Sequence, residues 1–278
     1  MIHVVTDTTS GLPADLARRY DIPVIPQVVI FGDESYLEGV EMDHATFLGR
    51  LRTAKTLPKT AAPSPGLFTD LFRQRVRPGD TVLCIHPSVE LSGTVRSALT
   101  AAAEFPDLDI RVLDTRTIAS PLAALVVLAA QWAEQGESAD AILARLHGLI
   151  PRSRLYFLVD TLEFLQKGGR IGGAAALIGS MLQVKPILEL RAGRVEPLER
   201  ERTQRKARAR LKELVLASAA RGPEAHLGVL HAGATEAARD LAADLGQQIG
   251  VSDVMIMELT PAIVTHAGPG VLGVGFFS

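Results

Sequence analysis

Thr81-Val82-Leu83-Cys84-Ile85 is an apolar, β-branched run, and Ser92 to Ala103 behind it carries helical spacing. Between them lies the short hydroxyl-bearing loop Leu91-Ser92-Gly93-Thr94. Strand, loop and helix form one unit of an α/β pattern, and the alternation continues on both sides. Upstream, Val4-Val5-Thr6 reads as a strand ending at Asp7-Thr8-Thr9-Ser10. A helix follows near Pro13, whose fixed φ suits a first turn, with Leu12, Leu16 and Tyr20 on one face. Val24 to Ile30 reads as a second strand, Gly32 to Ser35 as a turn and Ser35 to Leu37 as a short returning strand. Asp43 precedes a helix over Ala45 to Leu51 and can cap its free N–H groups. Pro65 to Arg75 is helical. Downstream come the strand Asp109 to Leu113 and helices over Ile118 to Glu134 and Ala139 to Leu146. Alternating strands and helices imply a mainly parallel sheet with right-handed crossovers. Such sheets place ligands at the carboxyl ends of their strands. Asp7, Ser92 and Asp114 each follow a strand and can share that rim.

A boundary is expected between Gly148 and Ser153. This gives an N-terminal α/β domain over 1–152, with a mainly parallel sheet flanked by helices, and a C-terminal α/β domain over 153–278. In the second half Leu155 to Val159 is a strand and Leu162 to Leu165 a helical turn. Lys167-Gly168-Gly169-Arg170-Ile171-Gly172-Gly173 interrupts before a helix over Ala174 to Leu182. Lys185 to Leu190 and Arg194 to Leu198 form a hairpin around Ala192-Gly193. Thr203 to Ala219 is a basic helix. His226 to Leu230 and Val254 to Leu259 are strands flanking the helix Thr235 to Ile249. Ile263-Val264-Thr265 and Val271 to Phe277 are expected as short closing strands. The second domain is therefore a mixed sheet with helices. No internal repeat or low-complexity linker is present.

Composition narrows the function classes. Among 278 residues, 29 Lys and Arg balance 31 Asp and Glu, so no basic field advertises nucleic acid. The single cysteine, Cys84, excludes an internal disulfide and a cysteine-clustered zinc site. Its apolar neighbours predict a buried, inert thiol. Met1-Ile2-His3-Val4-Val5 opens into a strand pattern with no basic head or cleavage site, so a cytoplasmic location is expected. The longest apolar run, Leu122 to Ala130, is about half of what a membrane span needs and reads as a buried helix. Hydrophobic residues make up 47% of the chain. Its mean hydropathy of +0.20 fits a large core, and also an internal apolar cavity.

Three segments offer anion chemistry. Thr60-Ala61-Ala62-Pro63-Ser64-Pro65 holds one hydroxyl on a loop stiffened by prolines. Ser92 stands where a helix N-cap is expected, beside N–H groups that attract anions. Thr265-His266-Ala267-Gly268-Pro269-Gly270 combines an imidazole with glycines that permit a nest of N–H groups. Each also has a plain reading: a rigid connector, an ordinary cap, and a structural turn with a hydrogen-bonded histidine. The glycines at 168–173 lack the spacing of a dinucleotide or P-loop fingerprint. They allow close helix approach or leave room for something apolar. Arg170 is a charge in a glycine-rich turn expected to be exposed, a docking residue or a solvated one. The basic run from Arg200 to Lys212 lacks interleaved aromatics and reads as a solvated helix face. His3, His44, His86, His147, His226 and His231 show no metal spacing. No nucleophile elbow is present. Ser92 acting as an esterase or phosphotransfer nucleophile, with His266 as base and Asp7 as acid partner, stays open as an alternative.

Taken in order along the chain, these segments resemble the DegV fatty-acid-binding proteins. The resemblance spans Val5-Thr6-Asp7-Thr8-Thr9-Ser10, the TxxPSP loop at Thr60 to Pro65, and Leu91 to Thr94. It continues through Asp160-Thr161-Leu162, Lys167 to Ile171, Lys185-Pro186-Ile187, Arg202-Thr203 and His266 to Gly270. It implies two α/β domains with one long-chain fatty acid between them. Thr60 and Ser92 would hold the carboxylate, with Thr94 and His266 close by. It implies no cofactor and no metal, and a carrier without catalysis of its own. A separate fatty acid kinase catalytic subunit would phosphorylate the bound carboxylate with ATP, giving an acyl phosphate for phospholipid synthesis. Arg170 and Arg202 would lie near the head group or the docking surface. Where the family usually has Ser-Gln after the first threonine of the loop, this chain has Ala61-Ala62, which leaves Thr60 as the side-chain donor before Pro63.

Overall fold

Strands and helices alternate from the first residues. The elements are β1 (Ile2–Asp7), α1 (Ala14–Arg19), β2 (Val24–Ile25), β3 (Val28–Phe31), β4 (Glu34–Leu37), α2 (His44–Thr53), β5 (Lys59–Ala61) and α3 (Pro65–Arg75). They continue with β6 (Thr81–His86), α4 (Thr94–Ala102), β7 (Asp109–Asp114), α5 (Ala119–Glu134) and α6 (Ala139–Leu149). The computed structural model describes residues 1–180 and 184–278. The chain divides into two units, Met1–Ile118 with Leu122–Pro151, and Ala119–Pro121 with Arg152–Ser278.

In the first unit a four-stranded sheet runs in the order β2-β1-β6-β7, parallel throughout. Val82, Leu83, Cys84 and Ile85 are all fully buried, so successive side chains on both faces of β6 are covered. That is the pattern of a parallel strand with helices on both sides. Phe68 and Phe72 of α3 and Ala98 and Ala101 of α4 pack with Val5, Val82 and Cys84 in one cluster. The apolar run at 122–130 is buried helix, with Leu122, Leu125, Val126 and Ala129 at 0% exposure. Asp43 caps α2 as expected, accepting the Thr46 N–H at 2.7 Å.

Two expectations for this unit need correction. The strand expected over Val24 to Ile30 is two strands in two sheets: β2 joins β1, whereas β3 joins a small antiparallel sheet ordered β4-β3-β5. The break falls at Pro26-Gln27, where a proline without an N–H cannot continue a ladder. Thr60 also leaves its expected loop. It lies in β5, opposite Val29 of β3.

The second unit contains β8 (Ser153–Leu158), α7 (Glu163–Lys167), β9 (Lys185–Arg191), β10 (Arg194–Glu201), α8 (Gln204–Ser218) and β11 (Gly228–His231). It closes with α9 (Thr235–Ile249), β12 (Met255–Glu258), α10 (Pro261–Ala267) and β13 (Leu272–Phe277). Its six-stranded sheet is ordered β10-β9-β8-β13-β11-β12. The β11–β12 pair is parallel and the rest are antiparallel, so the sheet is mixed. α8 turns Ala207, Leu211 and Val215 into the core formed with β8, β11 and α9, while Arg205, Lys206 and Arg208 are exposed. The basic run is thus a solvated face. Arg210 and Lys212 are tied to Glu199, Glu213 and Asp244.

Here too the structure departs from the sequence reading. Ile263-Val264-Thr265 is helical, inside α10, rather than a closing strand. Pro261 occupies the first turn, and Pro261, Ala262, Val264 and Thr265 are buried, so helix-spaced burial outweighs the β-branched composition. Gly172–Ser180 is a 3-10 segment and not the start of an α-helix; the end expected at Leu182 lies outside the described residues. Gly172 and Gly173 abut Val195 and Glu196 of β10, so the small residues serve approach to a strand edge.

Candidate functional site

The carboxyl ends of β1, β6 and β7 lie at one edge of the parallel sheet, and a set of polar side chains there, Asp7, Gln27, His86, Thr94 and Ser92, is linked by hydrogen bonds. Asp7, fully buried, ends β1. Its Oδ1 accepts the Thr9 N–H at 3.0 Å, the Thr9 hydroxyl at 2.6 Å and the Gln27 side-chain amide at 2.9 Å. Its Oδ2 faces His86 Nδ1 at 2.8 Å. His86, also fully buried, ends β6 and sets its ring edge-on to Phe68 at 5.3 Å between centroids. Its Nε2 has no hydrogen-bond partner among the described residues. Facing a carboxylate oxygen, which only accepts, Nδ1 is the donor of this pair.

The hydroxyl loop follows. Ser88 is buried, and its carbonyl accepts the N–H groups of Leu91 (2.9 Å) and Ser92 (3.0 Å), folding the chain back toward α4. Gly93 is the N-cap residue of α4, and no side chain caps the helix there. Ser92, expected at that cap, stands one residue earlier. Its hydroxyl accepts the Thr94 N–H at 3.3 Å, a local turn bond, and lies 2.8 Å from the Thr94 hydroxyl. Thr94 is fully buried and receives the Gln27 amide at 2.8 Å. Ser92 itself is half-buried. The Thr60 segment arrives alongside. A Cβ placed on Gly93 would stand 3.2 Å from the Cβ of Ala62. Small side chains at 62 and 93 therefore let the two segments approach.

The structure thus brings Ser92 and Thr94 together and sets the segment after Thr60 beside them. Asp7 and Ser92 share the rim foreseen from the sequence. Gln27 and His86 were missed as members. The signal for Gln27 was Pro26, which breaks the ladder and frees the next side chain to turn inward. His86 had only its position at a strand end. Asp7 is bonded to His86, and among the described residues both bonds of the Ser92 hydroxyl run to Thr94.

His266 lies in the last turn of α10, in the second unit. Its ring presses against Gly168 so closely that a Cβ there would sit 2.2 Å from Nδ1. Arg170 donates to the Gly168 carbonyl at 2.7 Å. Burial, with the Arg170 charge adding to it, lowers the His266 pKa to about 4. The imidazole is therefore neutral at pH 7. Arg170 is half-buried, not exposed as its glycine-rich surroundings suggested. Arg202 is exposed. The nest of free N–H groups expected at 268–270 is not formed. Gly268 N–H donates to Val264 and Gly270 N–H to Ala232, each at 2.8 Å, and Pro269 has none. Among the described residues no group of three His, Cys, Asp or Glu side chains forms a metal site. No helix there is long and apolar enough to cross a membrane.

The fold is that of a two-unit α/β protein whose first unit carries hydroxyl donors at the carboxyl edge of a parallel sheet. The chain belongs to the DegV family, whose model ("Uncharacterised protein, DegV family") matches residues 1–278. A DegV domain-containing protein of Streptomyces coelicolor is 39% identical over 275 residues, covering 98% of this chain and 97% of that protein. A DegV family protein of Thermus thermophilus, solved as a study of fatty acid binding, superposes with a TM-score of 0.90 at 35% identity, covering 100% and 99% of the two chains. DegV of Bacillus subtilis, described as a fatty acid binding protein, gives 0.89 at 31% identity over 100% and 99%.

Proposed function

We propose that this protein binds a long-chain fatty acid and holds its carboxylate with the Thr60 and Ser92 hydroxyls, Thr94 backing Ser92. The observation that carries the site is the half-buried Ser92 hydroxyl, fixed by Thr94 beside the Thr60 segment. The function rests on membership of a family whose solved members from Thermus thermophilus and Bacillus subtilis are described as fatty-acid-binding. His266 is assigned to the same head group by the resemblance alone. Its neutral ring can hydrogen-bond a carboxylate without forming an ion pair.

Energetics suit a carrier. Each buried methylene contributes about 0.8 kcal/mol, so a tail of ~16 carbons supplies on the order of 10 kcal/mol gross. Ordering the tail and desolvating the head reduce this. The hydroxyls then need only fix register and keep the carboxylate reachable. We further propose that the bound acid is presented to a separate ATP-dependent fatty acid kinase. In that step a carboxylate oxygen attacks the γ-phosphorus of ATP, ADP leaves, and an acyl phosphate is released for phospholipid synthesis. Arg170 and Arg202 are the proposed docking residues, and the protein itself catalyses nothing.

Native and denaturing mass spectrometry of the purified protein test the reading. A fatty acid released on denaturation is the expected result; no co-purified lipid and no uptake of added fatty acid overturn it. The Thr60→Ala, Ser92→Ala double variant is expected to weaken binding about tenfold or more, the scale of lost hydrogen bonds to a charged group. Unchanged affinity, together with unchanged kinase-coupled turnover, refutes the residue assignment.

A further inference from the structure

Gln27 connects the buried centre of the first unit to the Ser92 hydroxyl. It is 3% exposed. Its backbone is held on both sides: its N–H donates to the Thr8 hydroxyl at 3.1 Å, and its carbonyl accepts the Glu38 N–H at 2.9 Å. Its side-chain nitrogen donates to Asp7 Oδ1 and to Thr94 Oγ1. A primary amide carries two N–H groups on that nitrogen. Both are used, one on each partner. Asp7 holds the amide in this orientation, because a carboxylate oxygen already accepting from Thr9 faces a donor and not the amide oxygen.

The orientation passes outward through the hydroxyls. Thr94 accepts from Gln27, so its own proton needs an acceptor. Thr94 is fully buried, and its other hydrogen-bonding neighbour among the described residues is the Ser92 oxygen at 2.8 Å. Leaving a buried donor unpaired is costly, so the Thr94 proton goes to Ser92. The Ser92 oxygen then accepts twice, from the Thr94 hydroxyl and the Thr94 N–H. A hydroxyl has two acceptor sites and one proton. What Ser92 has left to offer is its proton, and Ser92 is the member of this chain that is partly open.

We propose that Gln27 sets the head-group specificity of the site, by fixing the direction of the Asp7–Gln27–Thr94–Ser92 hydrogen bonds so that Ser92 can act only as a donor. This rests on the reading that Ser92 holds a fatty acid carboxylate, and deepens it. A donor-only serine favours a carboxylate, which accepts and has no proton of its own. It disfavours a fatty alcohol of the same length, whose hydroxyl also needs an acceptor. Gln27 acts as a positioning residue; it reaches the ligand through Thr94 and Ser92.

The experiment compares myristate with 1-tetradecanol, which share one tail, by displacement of a fluorescent fatty acid from the full-length protein. Gln27→Glu replaces the donor facing Thr94 with an acceptor. Thr94 then donates inward, and Ser92 donates to Thr94 instead of to the ligand. The acid-over-alcohol preference is expected to narrow on the order of tenfold, with alcohol affinity changed less than about twofold. Gln27→Met removes the amide without reversing it and is expected to narrow the preference less. If Gln27→Glu does not fold beside Asp7, Gln27→Met decides. Equal weakening of acid and alcohol, the result of a merely structural side chain, overturns the proposal, and so does an unchanged preference. A wild-type protein that binds neither compound overturns the fatty-acid reading as well. A wild-type preference that both variants retain overturns the role of Gln27 alone.

Discussion

Lowering the pH from 7 to 5 should destabilise the second unit through His266, and the size of the effect follows from its surroundings. Burial is the main cause that lowers its pKa to about 4, and the Arg170 charge adds to it. In the unfolded chain the ring returns to its ordinary value of about 6.5. Between these values the unfolded state binds a proton that the folded state does not. Stability therefore falls as pH drops from about 6.5 to about 4, and is flat below. The full difference is at most on the order of 3 kcal/mol, and about 2 kcal/mol of it is lost between pH 7 and pH 5. The assay is thermal unfolding of lipid-free protein at the two pH values, comparing wild type with His266→Gln. At roughly 2–4 °C per kcal/mol, wild type should lose about 4–8 °C more in Tm than the variant. His226, whose pKa burial also lowers, is present in both proteins and cancels in the difference. Identical pH dependence in the two proteins would refute the argument that the ring is buried neutral. Arg170→Gln should shrink the gap without abolishing it, because the charge is the lesser cause.

Two further outcomes are expected. Cys84 is fully buried and its thiol is pushed up to about 12, so a thiol reagent at pH 8 should leave the native protein unlabelled and label it fully in guanidinium; native labelling contradicts the packing of β6. Gly168→Ala places a methyl 2.2 Å from His266 Nδ1, so it should destabilise by about 1–3 kcal/mol and move the His266 titration, followed by NMR, back toward its ordinary value; an unshifted titration means that the ring does not rest on Gly168.

Legibility in the sequence followed the range of the interaction. α3 and α9 have the bounds expected of them, Pro65–Arg75 and Thr235–Ile249, because a proline start and helical spacing are local signals. Ile263-Val264-Thr265 misled because β-branched residues favour strands only where their surroundings supply a sheet, and here a buried helical face absorbs them. The strand drawn through Pro26-Gln27 failed for a similar reason, since which of two sheets receives each half is a long-range matter.

The sequence by itself determined the α/β class, the strand ends at Asp7 and Asp114, the hydroxyl loop at Ser92 and the family. These are carried by periodicity, turn chemistry and the order of short motifs. The tertiary structure decided which polar groups meet. Asp7, Gln27 and the segment from His86 to Thr94 come from separate stretches of the chain, Asp7 and His86 79 positions apart, and Asp7 and His86 meet because β1 and β6 are neighbours. It also decided that the Gly268 and Gly270 N–H groups are used internally, that Arg170 is half-buried, and that burial lowers the His266 pKa. The physical reason is the same in each case. A hydrogen bond or a desolvated charge depends on what stands opposite, and spacing along the chain does not record that.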